Sequence, residues 1–329
     1  MHAHPHLPYP PDSSTAQAAP RVAVIIPCYN EALTIAQLVA DFQHHLPQAQ
    51  VYVFDNNSRD DTAAIARRAG AIVRRVTMQG KGSVVRRMFA DVEADAYIMV
   101  DGDGTYDTAA APRLVGKLLG EGLDMVVGSR VSTEQAAYRF GHRVGNSMLT
   151  GFLSLIFGRT FTDILSGYRV FSRRYVKSFA AQSSGFEIET ELTVHALELR
   201  MPVAEVETVY GARPEGSVSK LNTYRDGVRI LLTILRLFKS EKPLGFYSIA
   251  FSVCALLSVW LSIPLFATFM ETGLVPRLPT AVLCTALMLF GMILLVCGII
   301  LDAVTKARIE QKHFTYLAVP VCDPSRTHD

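Results

Sequence analysis

The sequence predicts an α/β domain on a largely parallel sheet, followed by two membrane-spanning helices. Short β-branched runs alternate with helix-like segments between Val22 and Tyr210, which is typical of parallel strands connected by helices on both faces of a sheet. Two long stretches without charge then follow. Half of the 329 residues are hydrophobic, and the mean hydropathy of +0.23 is high for a soluble protein.

Four buried strands are predicted from short apolar runs that stop at proline, aspartate or glycine, namely VAVIIP, VYVFD, YIMVD and MVVG. Helical length and composition predict helices over 31–46, 60–69, 81–94 and 109–119. Asp55 closes the second run and Asp101 closes the third. Because open parallel sheets bind ligands at the carboxyl ends of their strands, these acids mark the expected site.

A basic amphipathic helix is expected over 221–242. Its apolar stripe is formed by Leu221, Tyr224, Val228, Leu231, Leu235 and Phe238. A separate basic face is formed by Arg225, Arg229 and Arg236. Such a helix beside a hydrophobic segment is typical of the membrane interface. A helix that packs on the core and exposes a solvated basic face is the alternative.

Two membrane spans are predicted within 243–305. No charge occurs for 28 residues after Lys242 or for 24 residues after Arg277, and about 20 residues are enough to cross a bilayer. The connecting loop carries one basic residue, whereas the outer ends are flanked by Lys239, Lys242, Lys306, Arg308 and Lys312. The positive-inside rule therefore places the α/β domain and both termini in the cytoplasm, with a cytoplasmic tail over 306–329.

Net charge, cysteine content and the N-terminal segment give further information on the class of protein. A formal net charge of +2 gives no indication of a nucleic-acid partner. Five cysteines without metal-ligand spacing indicate reduced, structural thiols. The first twenty residues lack the continuous apolar core of a signal peptide. We expect residues 1–20 to form a solvated, disordered tail.

The strongest local motif is Asp101-Gly102-Asp103-Gly104, directly after a predicted strand. Two carboxylates one residue apart can hold one hard cation, and Mg²⁺ bound in this way keeps positions for substrate phosphates. Calcium binding in an EF-hand is not supported, because the DxDxDG frame and the final Glu are missing. A simple acidic turn is the remaining alternative for this motif.

Several further motifs occur along the chain, in the order PCYNEA, FDNNSRDDT, QGKG, DGDG, GSR, DILSGYRVFS, GFEIETEL and RPEGSVSKL. Together they resemble the inverting family 2 glycosyltransferases. Their order is most similar to the polyprenyl-phosphate branch that includes dolichol-phosphate mannose synthase. The resemblance covers residues 22–221 and implies a GT-A-type, Rossmann-like catalytic domain over 21–220. The two trailing spans are similar to those of bacterial glucosyl and aminoarabinosyl members.

The resemblance implies roles on the donor side. It assigns nucleotide binding to Pro27, Tyr29, Glu31, Asp55, Lys81 and Asp101, and Mg²⁺ or Mn²⁺ binding to Asp101 and Asp103. Lys81 opens a predicted helix, where its charge and the helix N-terminus suit a diphosphate, although a solvated lysine is the alternative. Asn56 stands where the family has a second acid, and Thr105 stands where some relatives have a glutamine ligand.

The resemblance also implies roles on the acceptor side. It assigns the acceptor phosphate to Arg130, Arg143, Ser147, Arg213 and Lys220. Asp163 is expected to position the acceptor, the sugar or Arg169, with base catalysis as the lesser option. Glu187 and Glu189 are expected at the sugar pocket or beside the arginines, or else in helix-face ion pairs.

These features together predict an enzyme that transfers a hexose, with UDP-glucose favoured as donor, to a polyprenyl phosphate with inversion. GDP-mannose or a UDP-N-acetylhexosamine as donor, and a non-catalytic nucleotide-sugar-binding scaffold, are the alternatives. A processive synthase is excluded because its QxxRW segment is absent and Trp260 lies within a predicted span. Homo-oligomerisation through the membrane helices is left open.

Overall fold

The computed structural model describes residues 19–132, 150–152, 154–155, 158, 161–180, 187–211, 232–233 and 235–320. The described strands are β1 (Val22–Cys28), β2 (Gln50–Asp55), β3 (Ile72–Arg75), β4 (Ala96–Met99), β5 (Met125–Ser132), β6 (Arg169–Ser172) and β7 (Val203–Tyr210). The described helices are α1 (Ile35–His45), α2 (Thr62–Arg68), α3 (Lys81–Asp91), α4 (Ala111–Gly120), α5 (Arg173–Ser178), α6 (Ile188–Glu198), α7 (Pro243–Thr272) and α8 (Leu278–Ala318).

The seven strands form one mixed, mostly parallel sheet in the order β3-β2-β1-β4-β6-β5-β7. This confirms the predicted fold class, and β1, β2, β4 and β5 are the four strands predicted from apolar runs. β6 runs antiparallel to both of its neighbours, and Arg169 at its start pairs with Met99 at the end of β4. The segment before β6 is therefore delivered to the carboxyl end of β4, where Asp101 follows.

Two apolar clusters cover the faces of the sheet. Ile35, Phe42 and Leu114 lie in the cluster under α1 and α4, whereas Met88 and Leu192 lie in the cluster under α3 and α6. The apolar residues of each helix recur at helical spacing, so one stripe of each helix is buried. The result is three layers, with helices on both faces of the sheet.

Helices α7 and α8 are long and apolar enough to cross a membrane. They do not behave as core helices of a soluble domain, since large side chains such as Leu256 and Phe266 are 71% and 69% exposed. The two helices approach closely where α8 carries glycine: a Cβ added at Gly298 would lie 2.8 Å from the Cβ of Tyr247. Small residues at a helix contact are typical of packing in membranes.

Helix α8 does not end at the predicted boundary between membrane and tail. It continues without a break to Ala318, and its last turns pack on the α/β domain, where Tyr316 contacts the apolar cluster under α6. Of the predicted amphipathic helix, only 232–233 and 235–242 are described, and 235–241 is helical. Phe238 in this segment packs against the rings of Phe152 and Phe246.

Candidate active site

The carboxyl ends of β1, β2 and β4 bring three sequence motifs together. Cys28 pairs with Asp55 in register, so the PCYNEA loop begins beside the first acid. Gly102 of the DGDG motif packs on the same loop, because a Cβ there would lie 2.8 Å from Cys28 Sγ and 3.4 Å from Glu31 Cγ. Thr34 Oγ1 donates a 2.6 Å hydrogen bond to the Gly102 carbonyl oxygen. The predicted nucleotide loop and metal loop are thus in direct contact.

A second set of hydrogen bonds fixes the PCYNEA loop to the loop after β2. The Glu31 amide donates to Thr62 Oγ1 at 2.9 Å, and the Ala32 amide donates to an Asp60 carboxylate oxygen at 3.2 Å. Burial would raise the pKa of Asp60, but hydrogen bonds from Thr62 and the Ala32 amide outweigh it and lower the pKa. The Asp60 carboxylate is therefore charged at neutral pH and holds both loops, which positions the predicted nucleotide residues Pro27, Tyr29, Glu31 and Asp55.

Asn56 has a role that sequence reasoning did not find. Its side chain is buried and donates to the carbonyl oxygens of Val76 and Met78 at 3.0 and 2.7 Å. Its amide oxygen accepts from the Gly80 amide at 2.8 Å. A carboxylate could not donate to two carbonyls. Asn56 therefore positions the turn that leads directly into Lys81.

Lys81 lies between two carboxylates from separate elements. Its ammonium forms an ion pair with Asp101 and a second one with Glu189 at 2.5 Å. Burial alone would lower the pKa of Lys81, but the charges of Asp101 and Glu189 raise it overall, so the side chain stays cationic. Glu189, predicted at the sugar pocket or beside the arginines, thus lies next to the predicted metal site. Asp101 is 28% exposed and is the open member of this group.

Gly167 of the DILSGYR segment has no room for a side chain. A Cβ there would lie 2.3 Å from Asp101 Oδ2. The Gly167 amide donates to the Tyr106 hydroxyl at 2.9 Å, and burial raises the pKa of that phenol. Neutral Tyr106 therefore fixes the glycine against Asp101, and the position of that carboxylate depends on Gly167.

Asp103 is buried, and its Oδ1 accepts a 2.6 Å hydrogen bond from Thr105 Oγ1. Thr105 is thus an orienting group for Asp103. Among the residues that the structure describes, no group of three or more His, Cys, Asp or Glu side chains could hold a metal ion. Asp101 and Asp103 offer hard oxygen ligands that fit a divalent cation, with other ligands supplied by substrate or water.

Asp163 is buried and is held by Arg130. Its oxygens accept from Arg130 Nε at 2.7 Å and Nη2 at 2.8 Å, a bidentate pair. Arg169, which Asp163 was predicted to order as one option, is fully buried and donates to the Ser166 carbonyl oxygen at 2.9 Å and to Thr193 Oγ1 at 2.9 Å. The guanidinium of Arg130, predicted at the acceptor phosphate, is engaged by Asp163 and lies 5.4 Å from the ring centroid of Tyr210.

The other predicted acceptor residues lie outside the described residues; they are Arg143, Ser147, Arg213 and Lys220. Glu187 is described, and it lines a cavity of about 320 Å³ together with Glu198, Arg236, Glu241 and Arg308.

Comparison with known proteins identifies the family. Residues 23–179 match the model of glycosyl transferase family 2. The chain is 35% identical over 294 residues to glycosyltransferase AglJ of Haloferax volcanii, covering 88% of this chain and 95% of the relative. A dolichyl-phosphate hexose transferase of the same organism is 26% identical over 67% of this chain and 95% of its own length.

The fold is also found among solved structures. A glucosyl-3-phosphoglycerate synthase from Mycobacterium tuberculosis, solved with Mn²⁺, UDP-glucose and phosphoglyceric acid, superposes with a TM-score of 0.52 at 24% identity. The superposition covers 67% of this chain and 81% of the synthase. At this identity the likeness identifies the GT-A-type fold.

Proposed function

This chain belongs to glycosyl transferase family 2, and we propose that it transfers a hexose from a nucleotide sugar to a polyprenyl phosphate with inversion. The observation that carries the proposal is the partly exposed Asp101, with the buried Asp103 two residues further on, beside a cationic Lys81 in a chain with two membrane-type helices. The likeness to a dolichyl-phosphate hexose transferase supports the same acceptor class. UDP-glucose is the donor we favour.

The donor would bind across the carboxyl edge of the sheet. Pro27, Tyr29, Glu31 and Asp55 surround the place for base and ribose, since their loops are fixed to one another there. Lys81 begins helix α3, so its ammonium and the amides of the helix N-terminus both favour a diphosphate. Asp101, the ion-pair partner of Lys81, is the more exposed of the two side chains.

A divalent cation, Mg²⁺ or Mn²⁺, would be held by Asp101 and Asp103. When bound, it supplies Lewis-acid stabilisation of the negative charge on the leaving diphosphate. The protein contributes the geometry: Thr105 orients Asp103, and Gly167 sets the room around Asp101. Lys81, the ion-pair partner of Asp101, neutralises part of the same charge.

The acceptor phosphate is itself the nucleophile. One of its oxygens forms a bond to the anomeric carbon while the bond from that carbon to the nucleoside diphosphate breaks, which inverts the configuration. A phosphate monoester has a second pKa of about 6, so it is mostly ionised at neutral pH and requires no strong base. Asp163 therefore acts in this proposal by fixing Arg130. The acceptor phosphate is bound by Arg143, Ser147, Arg213 and Lys220.

The basic residues that flank the two uncharged stretches support a cytoplasmic catalytic domain, with both termini on that side. A reporter fused after Asp329 is expected to be cytoplasmic, and a tag near Thr272 is expected to react from outside. The opposite labelling pattern would overturn this orientation.

A donor panel tests the proposed reaction. Purified protein with polyprenyl phosphate and Mn²⁺ is incubated separately with UDP-glucose, GDP-mannose and UDP-N-acetylglucosamine, and the lipid product is analysed by mass spectrometry. We expect one hexose added from UDP-glucose. Transfer from one of the other two nucleotide sugars would identify that compound as the donor. Nucleotide binding without any lipid product would favour a non-catalytic scaffold.

A further inference from the structure

The cytoplasmic end of α8 carries a stripe of residues that contacts the α/β domain. Arg308, Lys312 and Tyr316 are spaced four residues apart and so share one face of the helix. Tyr316 donates to Asp124 at 2.8 Å. The Arg174 guanidinium lies 5.3 Å from the Tyr316 ring centroid and donates to the Val319 carbonyl oxygen. The membrane helix is therefore fastened directly to the catalytic domain.

The centre of this contact is a buried cluster of charges. Lys312 donates to Glu198 at 2.6 Å, and Arg308 lies 3.4 Å from Glu198 and 3.2 Å from Glu241. The Glu198 side chain is only 1% exposed. A buried charge is tolerated where opposite charges and hydrogen bonds compensate it, so removal of one member leaves the others uncompensated. Burial and the neighbouring Glu198 raise the pKa of Glu241 to about 8, which reflects how closely the two carboxyl groups approach.

Glu198 is the last residue of α6, and Glu189 lies in the first turn of the same helix. They are nine residues apart, or about 13 Å along the axis. Glu189 forms the 2.5 Å ion pair with Lys81. One short helix therefore joins the membrane contact at its end to the predicted donor site at its start.

Helix α6 has little freedom to bend or slide between these two contacts. Nearly all of its residues from Ile188 to Leu197 are buried. The His195 ring contacts the rings of Tyr175 and Phe179, each at 5.2 Å between centroids, and its Nε2 lies 3.1 Å from Ser178 Oγ. Because close-packed interiors transmit displacement, a shift at Glu198 is passed to Glu189.

We propose that Glu198, with Arg308 and Lys312 of the membrane helix, is a positioning residue for the donor site: it sets helix α6 and, through Glu189, the ammonium of Lys81 beside Asp101. This inference rests on the proposed function, because it assigns Lys81 to the donor diphosphate. It explains why α8 continues into the domain as a helix. The donor site then takes its working geometry when the membrane helix is docked.

The test uses full-length protein in detergent with Mn²⁺, UDP-glucose and polyprenyl phosphate. Glu198→Gln keeps the size of the side chain and removes its charge. We expect the donor KM to rise about tenfold while the acceptor KM stays within about twofold. The matched control is Glu121→Gln, which removes the exposed ion pair with Lys117 and should leave both constants unchanged.

A second arm separates positioning from a general loss of structure. In a Lys81→Ala background, Glu198→Gln should cause no further rise in donor KM, because the group through which it acts is gone. If Glu198→Gln does not fold, Lys312→Gln replaces it; Glu198 keeps its contact with Arg308 there, and a donor KM about threefold higher is expected.

Two results would overturn the inference. One is a folded Glu198→Gln or Lys312→Gln variant with wild-type donor KM, and the other is a full additional loss in the Lys81→Ala background. Failure of the proposed function is a separate observation, since the unsubstituted protein would then form no hexosyl lipid from any donor in the panel.

Discussion

The two ends of helix α6 carry ionic clusters of opposite character. At its start, Lys81 lies between Asp101 and Glu189, and Asp101 remains 28% exposed to solvent. At its end, Glu198 is 1% exposed and is compensated by Arg308 and Lys312. An exposed carboxylate can exchange its protein partner for a ligand, whereas a buried carboxylate with two cationic partners is already compensated. The difference indicates chemistry at the first cluster and attachment at the second.

Removal of the charge of Asp103, two residues after Asp101 of the first cluster, should have the largest effect. Asp103→Asn keeps the oxygen that accepts from Thr105, so the loop should stay folded. It weakens metal binding, and we expect transfer to fall about a thousandfold, equivalent to about 4 kcal/mol of transition-state stabilisation. Transfer rate and thermal unfolding are measured together. Full turnover of the unsubstituted protein in excess chelator would contradict the metal assignment.

A substitution that adds no charge tests whether Asp101 needs its exact position. In Gly167→Ala the new Cβ would lie 2.3 Å from Asp101 Oδ2 and must displace that carboxylate. We expect transfer to fall about a hundredfold, since misplacement by about 1 Å can cost that much. Gly116→Ala is the control, because nothing lies within 4 Å of its Cβ and it lies within helix α4. Equal rates in the two variants would show that Asp101 has freedom to move.

The acceptor side should respond differently from the donor side. Neutralising Arg213 or Lys220 removes a charge-assisted hydrogen bond, which costs about 1.5–3 kcal/mol, or about tenfold to a hundredfold in affinity. The expected result is a raised acceptor KM with UDP affinity unchanged by calorimetry. Arg213→Lys should also raise the acceptor KM, because a point charge cannot reproduce the guanidinium fork. Loss of UDP binding with an unchanged acceptor KM would move these residues to the donor pocket.

The second cluster, which is formed by Glu198, Glu241, Arg308 and Lys312 and is called the closed cluster below, should make the stability of the protein depend on pH. The pKa of Glu241 in the folded protein is raised from 4.5 to about 8 by burial and by Glu198. The folded form therefore retains a proton that the unfolded form loses, and stability falls as pH rises from about 4.5 to about 8. The pKa of Glu198 is lowered in the folded protein, so the stability that its charge contributes is lost only as the pH falls below about 4.5.

Glu241→Gln should flatten this dependence. We expect its unfolding temperature between pH 5 and pH 8 to change by a few degrees less than that of the unsubstituted protein. Glu121→Gln, at an exposed ion pair, should keep the original slope. An unchanged slope in Glu241→Gln would show that Glu241 does not hold its proton in the folded state.

Sequence patterns predicted the fold, because the strands and the acids that follow them depend on local order. Apolar runs located β1, β2, β4 and β5, and the acids at their ends follow directly from the chain. The role of Asn56 could not be read in this way, since its partners Val76, Met78 and Gly80 lie 20 to 24 residues ahead. The only signal was an amide where the family has an acid.

The closed cluster was missed for a related reason. Arg308 and Lys312 were interpreted as flanking charges that orient the membrane helices, although their spacing with Tyr316 is helical. Glu198, which pairs with Arg308, and Asp124, which pairs with Tyr316, lie 110 or more residues away from these partners in sequence. The antiparallel β6 was unpredicted as well, and it is what brings Gly167 to Asp101.

The released nucleotide tests the central claim most directly. Purified protein is supplied with UDP-glucose, polyprenyl phosphate and Mn²⁺, and both the nucleotide and the lipid are identified by mass spectrometry, with Asp103→Asn as the inactive control. Hexosyl transfer to a phosphate oxygen predicts UDP and a lipid with one phosphate and one hexose. Release of UMP with a lipid diphosphate sugar would mean that sugar phosphate is transferred instead, and it would contradict the account.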